Sequence, residues 1–321
     1  MSDNTFHLSC VVPVFNEAAN LPRFIPALAA TLAELTPDFD IVIVDDGSTD
    51  QTLEAALGLL PEYPLTILQL SRNFGKEYAL TAGIDHARGD GVILIDADFQ
   101  HPLAMIPEFV DLWRKGYDMV YGIRARAQEG PVKKYLTRAF YRLLDISSHV
   151  SMPQDAGDFR LLDRRVIKAL QQLPERSRYM KGLYAWVGFR SMGVPFREDL
   201  RLHGTTSFNW LRLFKLALTG ITAFSDLPLR LWSILGAVVA LISFSYGIFV
   251  IIEAFVENER VPGWATLVTG MMFFGGIQLL SVGVLGEYIA RIFNEVKGRP
   301  NYLISREYHS PVLPASKHDD D

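Results

Sequence analysis

Residues 41–50 read IVIVDDGSTD, an apolar and β-branched run that ends in acidic and turn-forming residues. The run predicts a short buried strand at Ile41–Val44, and the residues after it predict a polar loop at the carboxyl end of that strand. The first half of the chain holds similar apolar runs at Leu8–Val14, Leu65–Leu70, Val92–Ile95 and Met119–Tyr121. The first half of the chain is therefore predicted to contribute five strands.

Helical segments fill the intervals between these strands. Ser48, Asp50 and Pro102 are typical markers of helix starts. The segments are Glu17–Leu35, Gln51–Leu60, Lys76–His86 and Leu103–Lys115. Strands that alternate with helices predict an α/β fold with a mainly parallel sheet, in which ligands bind beyond the carboxyl ends of the strands.

Residues with useful chemistry follow four of the predicted strands. In chain order they are Pro13, Phe15, Asn16 and Glu17, then Asp45–Asp50, then Asp96–Gln100, and finally Gly122–Arg124. One crevice at the carboxyl edge of the sheet can collect all four sets. No Gly-x-Gly-x-x-Gly turn follows the first strand and no Walker lysine loop is present, which disfavours nicotinamide-dependent and nucleotide-hydrolysing enzymes.

Asp96, Asp98 and Gln100 form a candidate metal site. Carboxylates two residues apart in an extended backbone point to the same side, and Gln100 adds a neutral oxygen. Hard oxygen ligands suit Mg²⁺ or Mn²⁺, which keep some waters and bridge to substrate phosphates. The alternative is that these acids only shape a loop or cap a helix.

Asp45 and Asp46 have two possible roles. They either cap the following helix or accept hydrogen bonds from a nucleobase or a ribose. Pro13 and Phe15 would supply a rigid edge and an apolar face beside them. The grouping favours a nucleoside site.

The overall composition excludes some partners. The net charge of −5 gives no reason to expect a nucleic-acid-binding surface. The single cysteine, Cys10, rules out an intrachain disulfide and fits a reducing compartment. Residues Met1–His7 lack the basic flank and apolar core of a secretory signal, which predicts a cytoplasmic head.

Two uncharged stretches near the C-terminus predict membrane-spanning helices, at about 230–252 and 262–287. Each stretch exceeds the ~20 residues needed to cross a bilayer; the alternative is a buried helical hairpin in a soluble protein. Lys and Arg residues flank the two spans, whereas the connector holds Glu253, Glu257, Glu259 and Arg260. The positive-inside rule predicts a multi-pass protein of the cytoplasmic membrane with both termini in the cytoplasm. Small residues in the spans permit close packing within one chain or in a homo-oligomer.

These features predict four segments. Residues 1–207 form the head, 208–227 an amphipathic helix at the membrane interface, 228–290 the two-helix anchor, and 291–321 a cytoplasmic tail with a disordered end. The alternative for 208–227 is an ordinary helix packed on the core of the head.

Four motifs, in this order and spacing, resemble glycosyltransferase family 2. They are VPVFNE at 12–17, VDDGSTD at 44–50, DADFQHP at 96–102 and DAGDFRLL at 155–162. The resemblance covers nearly the whole chain and is closest to the polyprenyl-phosphate glycosyltransferases of the bactoprenol glucosyltransferase type. It implies a GT-A head and inverting transfer of a sugar, with UDP-glucose favoured as donor, to polyprenyl (undecaprenyl) phosphate.

The resemblance also implies roles for individual residues. The implied nucleotide-sugar site consists of Pro13, Phe15, Glu17, Asp46, Asp96, Ala97, Asp98, Gln100 and Arg124. Asp158 joins Asp98 as a catalytic candidate, because it could orient the donor sugar or act as a base. Its alternative is an ion pair with Arg160 or with the charged cluster at 163–165, and the alternative for Arg124 is a place on the surface.

A phosphate acceptor requires positive charge near the site. Arg124, Arg138, Lys181 and Arg201 are the candidates, although each could instead face solvent or lipid headgroups. Relatives commonly have a lysine shortly after the glycine that matches Gly204, and this chain has Thr205 and Thr206 there. Transfer from GDP-mannose, as in dolichol-phosphate-mannose synthases, or from another UDP-sugar remains open. A degenerate sugar-nucleotide-binding membrane subunit is the alternative from a different class.

Overall fold

The computed structural model describes residues 6–124, 156–176, 178–196 and 263–313, together with isolated helical residues between 236 and 249. The strands are β1 (Leu8–Val14), β2 (Phe39–Asp45), β3 (Leu65–Leu70), β4 (Gly91–Leu94), β5 (Met119–Arg124), β6 (Ala156–Asp163), β7 (Ser191–Phe196) and β8 (Ile304–His309). The helices are α1 (Leu21–Ala33), α2 (Thr52–Leu59), α3 (Lys76–His86), α4 (Ile106–Arg114), α5 (Arg164–Gln171), α6 (Met180–Trp186) and α7 (Trp264–Val296), with a 3₁₀ turn at Leu103–Met105. The five predicted strands are confirmed, and β6, β7 and β8 lie outside the predicted set.

The described strands form one eight-stranded sheet in the order β7-β5-β6-β4-β1-β2-β3-β8. Strands β1 to β4 are mutually parallel, and β5 pairs in parallel with β7. Strand β6 runs antiparallel to its neighbours β4 and β5, and β8 runs antiparallel to β3. The predicted α/β fold with a mainly parallel sheet is therefore confirmed, with two antiparallel insertions.

The core lies on both faces of the central strands. Nearly every residue of β1 and β2 is buried, and strands covered on both faces are expected to be continuously apolar. Helix α3 packs closely on β1, because a Cβ atom on Gly83 would lie only 2.1 Å from Cγ1 of Val11. This close approach fixes the position of α3, whose first residue is Lys76.

The chain returns to the head after α7 and adds β8 to the edge of the sheet. The backbone N–H of Ser310 donates to the carbonyl of Leu65 at 2.9 Å, and that of Ser71 donates to the carbonyl of Leu303 at 2.8 Å. The hydroxyl of Tyr302 lies 2.9 Å from Oδ2 of Asp85. Residues 304–309 of the predicted tail are therefore part of the sheet of the head.

Helix α7 contains the second predicted span. Its segment Gly270–Val296 is long and apolar enough to cross a membrane, and the described residues contain one such helix. The helix continues past the predicted end of the span at 287. Many of its apolar side chains are exposed, with Leu279 76% exposed. The predicted interfacial helix at 208–227 lies outside the described residues, as does most of the first predicted span.

Candidate active site

A pocket of about 390 Å³ opens at the carboxyl ends of β1, β2, β3 and β4. It is lined by Pro13, Val14, Phe15, Glu17, Asp46, Asn73, Gly75, Lys76, Ala79, Asp96, Ala97 and Asp98. Seven of the predicted nucleotide-sugar residues are thus brought together, namely Pro13, Phe15, Glu17, Asp46, Asp96, Ala97 and Asp98. The location agrees with the rule that parallel sheets bind ligands at this edge.

Asp96, Asp158 and Lys76 form the acidic centre of the site. The Lys76 Nζ atom lies 2.7 Å from Oδ1 and from Oδ2 of Asp96, and 2.9 Å from Oδ2 of Asp158. Asp96 follows β4, whereas Asp158 lies near the start of β6. Because β6 is antiparallel to β4, its start lies at the same edge of the sheet as the end of β4. The inserted strand thereby brings a second carboxylate to Lys76, which lines the pocket.

The acidic centre is charged at neutral pH. Burial raises the pKa of Asp96, but contact with His101 and the charge of Lys76 outweigh it and lower the pKa to about 2. For Asp158, burial is likewise outweighed by Lys76, and the pKa falls below its usual value. Burial lowers the pKa of Lys76, and the two carboxylates more than compensate, so that its pKa is raised. Both carboxylates are therefore ionised and Lys76 is protonated.

His101 supports Asp96 from within the core. Its ring is 2% exposed and stacks on Phe159, with the ring centroids 5.0 Å apart. Its Nε2 atom lies 3.6 Å from Oδ2 of Asp96. The packed ring limits the movement of this carboxylate.

Asp98 is held by Gln100. Oδ1 of Asp98 accepts the backbone N–H of Gln100 at 3.1 Å, and Oδ2 accepts from its Nε2 at 2.5 Å. Phe99 between them has a φ of 59°, a left-handed conformation that reverses the chain, and its ring packs edge-on against Phe24. In this arrangement the amide nitrogen of Gln100, rather than its oxygen, faces Asp98.

Asp46 joins two loops at one side of the pocket. Its Oδ1 and Oδ2 atoms accept the backbone N–H groups of Phe74 at 2.7 Å and Gly75 at 2.9 Å. Burial raises its pKa, and these two hydrogen bonds partly offset the effect. The two loops also approach each other closely at Gly47, where the Cβ atom of any other residue would lie 2.5 Å from the carbonyl carbon of Arg72. The loop after β2 thus positions the loop after β3.

Glu17 and Phe15 complete this side. Glu17 accepts a hydrogen bond from Asn20 Nδ2 at 2.6 Å, and its own N–H donates to Thr52 at 2.8 Å. Burial raises the pKa of Glu17, while the hydrogen bond from Asn20 opposes the shift. The ring of Phe15 is 44% exposed, which leaves an apolar face open to a ligand.

Of the four predicted acceptor-binding cations, two lie in described elements and two lie outside the described residues. Arg124 is the last residue of β5 and pairs with Phe196 of β7. Lys181 lies in α6, and its charge acts on Asp158 and on Glu77. Arg138 and Arg201 lie outside the described residues.

Asp158 pairs with Lys76 rather than with the partners that its alternative interpretation named. The buried guanidinium of Arg160 donates instead to the carbonyl of Gly157 at 2.6 Å and lies over the ring of Tyr184 at 3.6 Å. Arg165 pairs with Asp163 at 3.1 Å. Within the described residues, Oδ1 of Asp158 is buried and has no hydrogen-bond partner. Buried polar atoms nearly always have a hydrogen-bond partner, and the described residues supply none for this oxygen.

Sequence reasoning missed Lys76 and its neighbours in the loop after β3. A lysine at the start of a helix resembles a solvated charge, and the four sets of predicted site residues follow the first, second, fourth and fifth strands. The same rule applied to the third strand would have found Asn73, Gly75 and Lys76. Glu77 was missed as well: burial and then the charge of Asp158 raise its pKa to about 7.

The side chains that line the pocket fit the predicted metal. Within the described ranges, no group of three or more His, Cys, Asp or Glu side chains is arranged to hold a metal ion. Asp96 and Asp98 both line the pocket with hard carboxylate oxygens. Two carboxylates fit Mg²⁺ or Mn²⁺, which bind proteins through one or two carboxylates plus waters and substrate phosphates.

Comparison with known proteins shows the family of the chain. The glycosyl transferase family 2 profile matches residues 9–171, and the GtrB C-terminal hairpin profile matches residues 227–292. An uncharacterized glycosyltransferase of Synechocystis is 44% identical over 98% of this chain and 99% of its own length. The bactoprenol glucosyl transferase of Shigella phage SfII is 43% identical over 94% of this chain and 98% of its own, and a prophage homolog in Escherichia coli is 41% identical over 93% and 98%. The chain, with its GT-A-like mixed sheet, therefore belongs to glycosyltransferase family 2.

Proposed function

We propose that this protein transfers glucose from UDP-glucose to polyprenyl phosphate at the cytoplasmic face of a membrane, with inversion at the anomeric carbon. One observation carries the proposal: relatives named as bactoprenol glucosyl transferases are 43% identical to the chain over almost their whole length. Similarity of this extent includes both the head and the segment matched by the C-terminal hairpin profile. The acidic pocket supplies the chemistry that such a transfer needs.

The nucleotide sugar is proposed to bind in the pocket at the carboxyl edge of the sheet. The exposed ring of Phe15 and the edge of Pro13 would contact the base, and Glu17 would accept hydrogen bonds from the nucleoside. Asp46 contributes by holding the loop at Phe74 and Gly75, which forms the opposite wall. The diphosphate would then lie over Asp96, Ala97 and Asp98, with Arg124 proposed as an additional phosphate ligand.

Asp96 and Asp98 are proposed to hold Mg²⁺ or Mn²⁺, and Gln100 to orient Asp98 or add an oxygen. A divalent cation bound there would stabilise negative charge on the departing nucleoside diphosphate. Although burial raises the pKa of Asp96, contact with His101 and with Lys76 lowers it to about 2, so the carboxylate is ionised across the physiological pH range.

The acceptor is proposed to attack through a phosphate oxygen. Because that oxygen is already anionic near pH 7, the protein has to position it and stabilise charge rather than supply a strong base. Asp158 is proposed to orient the donor sugar, since its buried Oδ1 atom has no described partner. Lys181 is close enough for its charge to act on Asp158, and we propose that it holds the acceptor phosphate together with Arg124, Arg138 and Arg201.

Two transmembrane helices are proposed to anchor the head beside its lipid acceptor. Helix α7 would supply the second span, 230–252 the first, and 208–227 an interfacial helix. The match of the GtrB C-terminal hairpin profile to residues 227–292 supports the proposed anchor at 228–290. Head and termini are proposed to be cytoplasmic, where nucleotide sugars are found.

The proposal is tested by a transfer assay with purified full-length protein. Undecaprenyl phosphate is offered with radiolabelled UDP-glucose, UDP-galactose, UDP-N-acetylglucosamine or GDP-mannose, in Mg²⁺, in Mn²⁺ or in a chelator. Label is expected in the extracted lipid with UDP-glucose and metal, and an Asp96→Asn variant is expected to lose it. Lipid labelled only with GDP-mannose would show that the donor is GDP-mannose and not UDP-glucose. Donor hydrolysis or binding without any labelled lipid would contradict the proposed acceptor.

A further inference from the structure

Lys76 occupies the middle of the acidic centre. Its Nζ atom is 2.7 Å from each carboxylate oxygen of Asp96 and 2.9 Å from Asp158. The backbone of Lys76 starts α3, which is fixed against β1 at Gly83, whereas the side chain is 44% exposed. The fold therefore holds the base of this side chain in place and leaves its charged end free to change partners.

A divalent cation bound to Asp96 would compete with this ammonium group. Mg²⁺ lies ~2.0–2.1 Å from its oxygen ligands, which puts it in the same space in front of the Asp96 carboxylate as Nζ. Two cations cannot occupy that space, because their repulsion over a few ångströms is strong in a partly buried site. Lys76 therefore has to leave Asp96 before the carboxylate can hold the metal.

A nucleoside diphosphate would give Lys76 a new partner. Lys76, Asp96 and Asp98 line the same pocket, so a diphosphate bound beside the two acids would be within reach of the lysine side chain. Its oxygens would offer negative charge to the ammonium and ligands to the metal at the same time. The dipole of α3, whose positive end lies at Lys76, favours an anion near that position.

We propose that Lys76 makes metal binding depend on the nucleotide. In the free protein the ammonium group pairs with Asp96 and Asp158 and offsets part of their negative charge, and it moves to the diphosphate when nucleotide and cation bind together. The inference rests on the metal and nucleotide sites of the proposed function and assigns Lys76 no part in bond making. Its direct consequence is that an uncharged side chain at position 76 lets the cation bind without nucleotide.

Mn²⁺ binding to the detergent-solubilised full-length protein provides the test. Free Mn²⁺ is followed by its electron paramagnetic resonance signal during a titration, with and without saturating UDP. In the wild type, UDP is expected to tighten Mn²⁺ binding by about tenfold or more, within the usual range of coupling between sites. In Lys76→Met, Mn²⁺ is expected to bind more tightly without UDP, and the effect of UDP is expected to fall to about threefold or less.

Two further variants serve as controls. Lys76→Arg keeps the charge and is expected to keep the dependence on UDP, and Lys115→Met removes an exposed lysine after α4 and is expected to behave as wild type. An unchanged effect of UDP in Lys76→Met, or weaker Mn²⁺ binding without UDP, would overturn the inference while leaving the metal site intact. If the wild type bound no Mn²⁺ even with UDP, the proposed metal site and the inference would both be wrong.

Discussion

At the scale of single residues, the site depends on a balance of charges that spacing along the chain does not reveal. Asp96 and Asp98 were found from the sequence because two acids at a strand end are a local pattern. Their relation to Lys76 and Asp158 is not local, since those residues come from α3 and from an antiparallel strand. The acidic residues and the lysine could therefore be found at strand ends, whereas the ion pairs that Lys76 forms with Asp96 and Asp158 could not be predicted.

Asp158 is predicted to be needed for turnover more than for binding. Asn has the same size but removes the charge that faces Lys76 at 2.9 Å. Asp158→Asn is expected to lower kcat by about 100-fold or more, with the KM for UDP-glucose changed less than about threefold. Transfer of radiolabel to lipid measures both constants, with Asp111→Asn on the exposed face of α4 as control. Full turnover by Asp158→Asn would remove this residue from the catalytic set.

Glu77 is predicted to make the head less stable at neutral pH than at pH 4.5. Burial, followed by the charge of Asp158, raises its pKa from 4.5 to about 7 in the folded protein. The unfolded chain releases this proton first, so the wild type loses stability as pH rises from 4.5 to about 7, and the loss is complete above that value.

Glu77→Gln removes this titration and keeps an oxygen for the N–H of Met180, which donates to Glu77 at 3.0 Å. The difference in melting temperature between the variant and the wild type is expected to be more positive at pH 8 than at pH 4.5. Each kcal/mol gained in the free energy of unfolding corresponds to roughly 2–4 °C. Thermal melts across this pH range measure the difference, with Glu54→Gln on the exposed side of α2 as control. A difference independent of pH would contradict the raised pKa.

At the scale of elements, the strands with continuous apolar runs were predictable and the others were not. Strands β1 to β4 are buried on both faces and therefore have an unambiguous pattern. In β6 the apolar run is interrupted by Asp158 and by Arg160, which is only 3% exposed and contacts Met119 and the ring of Tyr184, both far from it along the chain. Strand β7 contains a glycine and a proline, and β8 is largely exposed. Tertiary pairing, rather than local preference, makes these three segments strands.

Strand β8 is predicted to stabilise the pocket as well as the sheet. It covers the edge of β3, and Leu303 just before it accepts a hydrogen bond from Ser71, which begins the loop containing Asn73, Gly75 and Lys76. A chain ending at Arg299 is expected to melt several degrees lower than the full chain and to bind UDP more weakly. A chain ending at Leu313 keeps β8 and should match the full-length protein in both measurements. Equal behaviour of the two truncated proteins would show that β8 has no such role.

At the scale of the whole molecule, the proposed reaction joins a water-soluble donor to a membrane lipid. The head contributes the pocket, and α7 provides one helix with the length and composition of a span. The length and charge of the C-terminal segments indicated this division from the sequence, because bilayer thickness and charge asymmetry constrain any membrane protein.

The proposed topology predicts where reporters will be active. Alkaline phosphatase, which is active outside the cytoplasm, is expected to be active when inserted after Glu257 in the connector and inactive when fused after Leu313. Green fluorescent protein should give the opposite result at the same two positions. Activity of one reporter at both positions would mean that the chain does not cross the membrane twice.

The position of β8 in the sequence also has a consequence for biosynthesis. The strand at the edge of the sheet, residues 304–309, follows α7 in the chain, so it is synthesised after all the other described strands. Until then β3 has an open edge, which is a site for mispairing with other chains. The sheet of the nascent head therefore lacks its edge strand while α7 is being synthesised. Cells that translate this protein slowly, or lack chaperones that shield an open edge, should accumulate aggregates of chains stalled before residue 304.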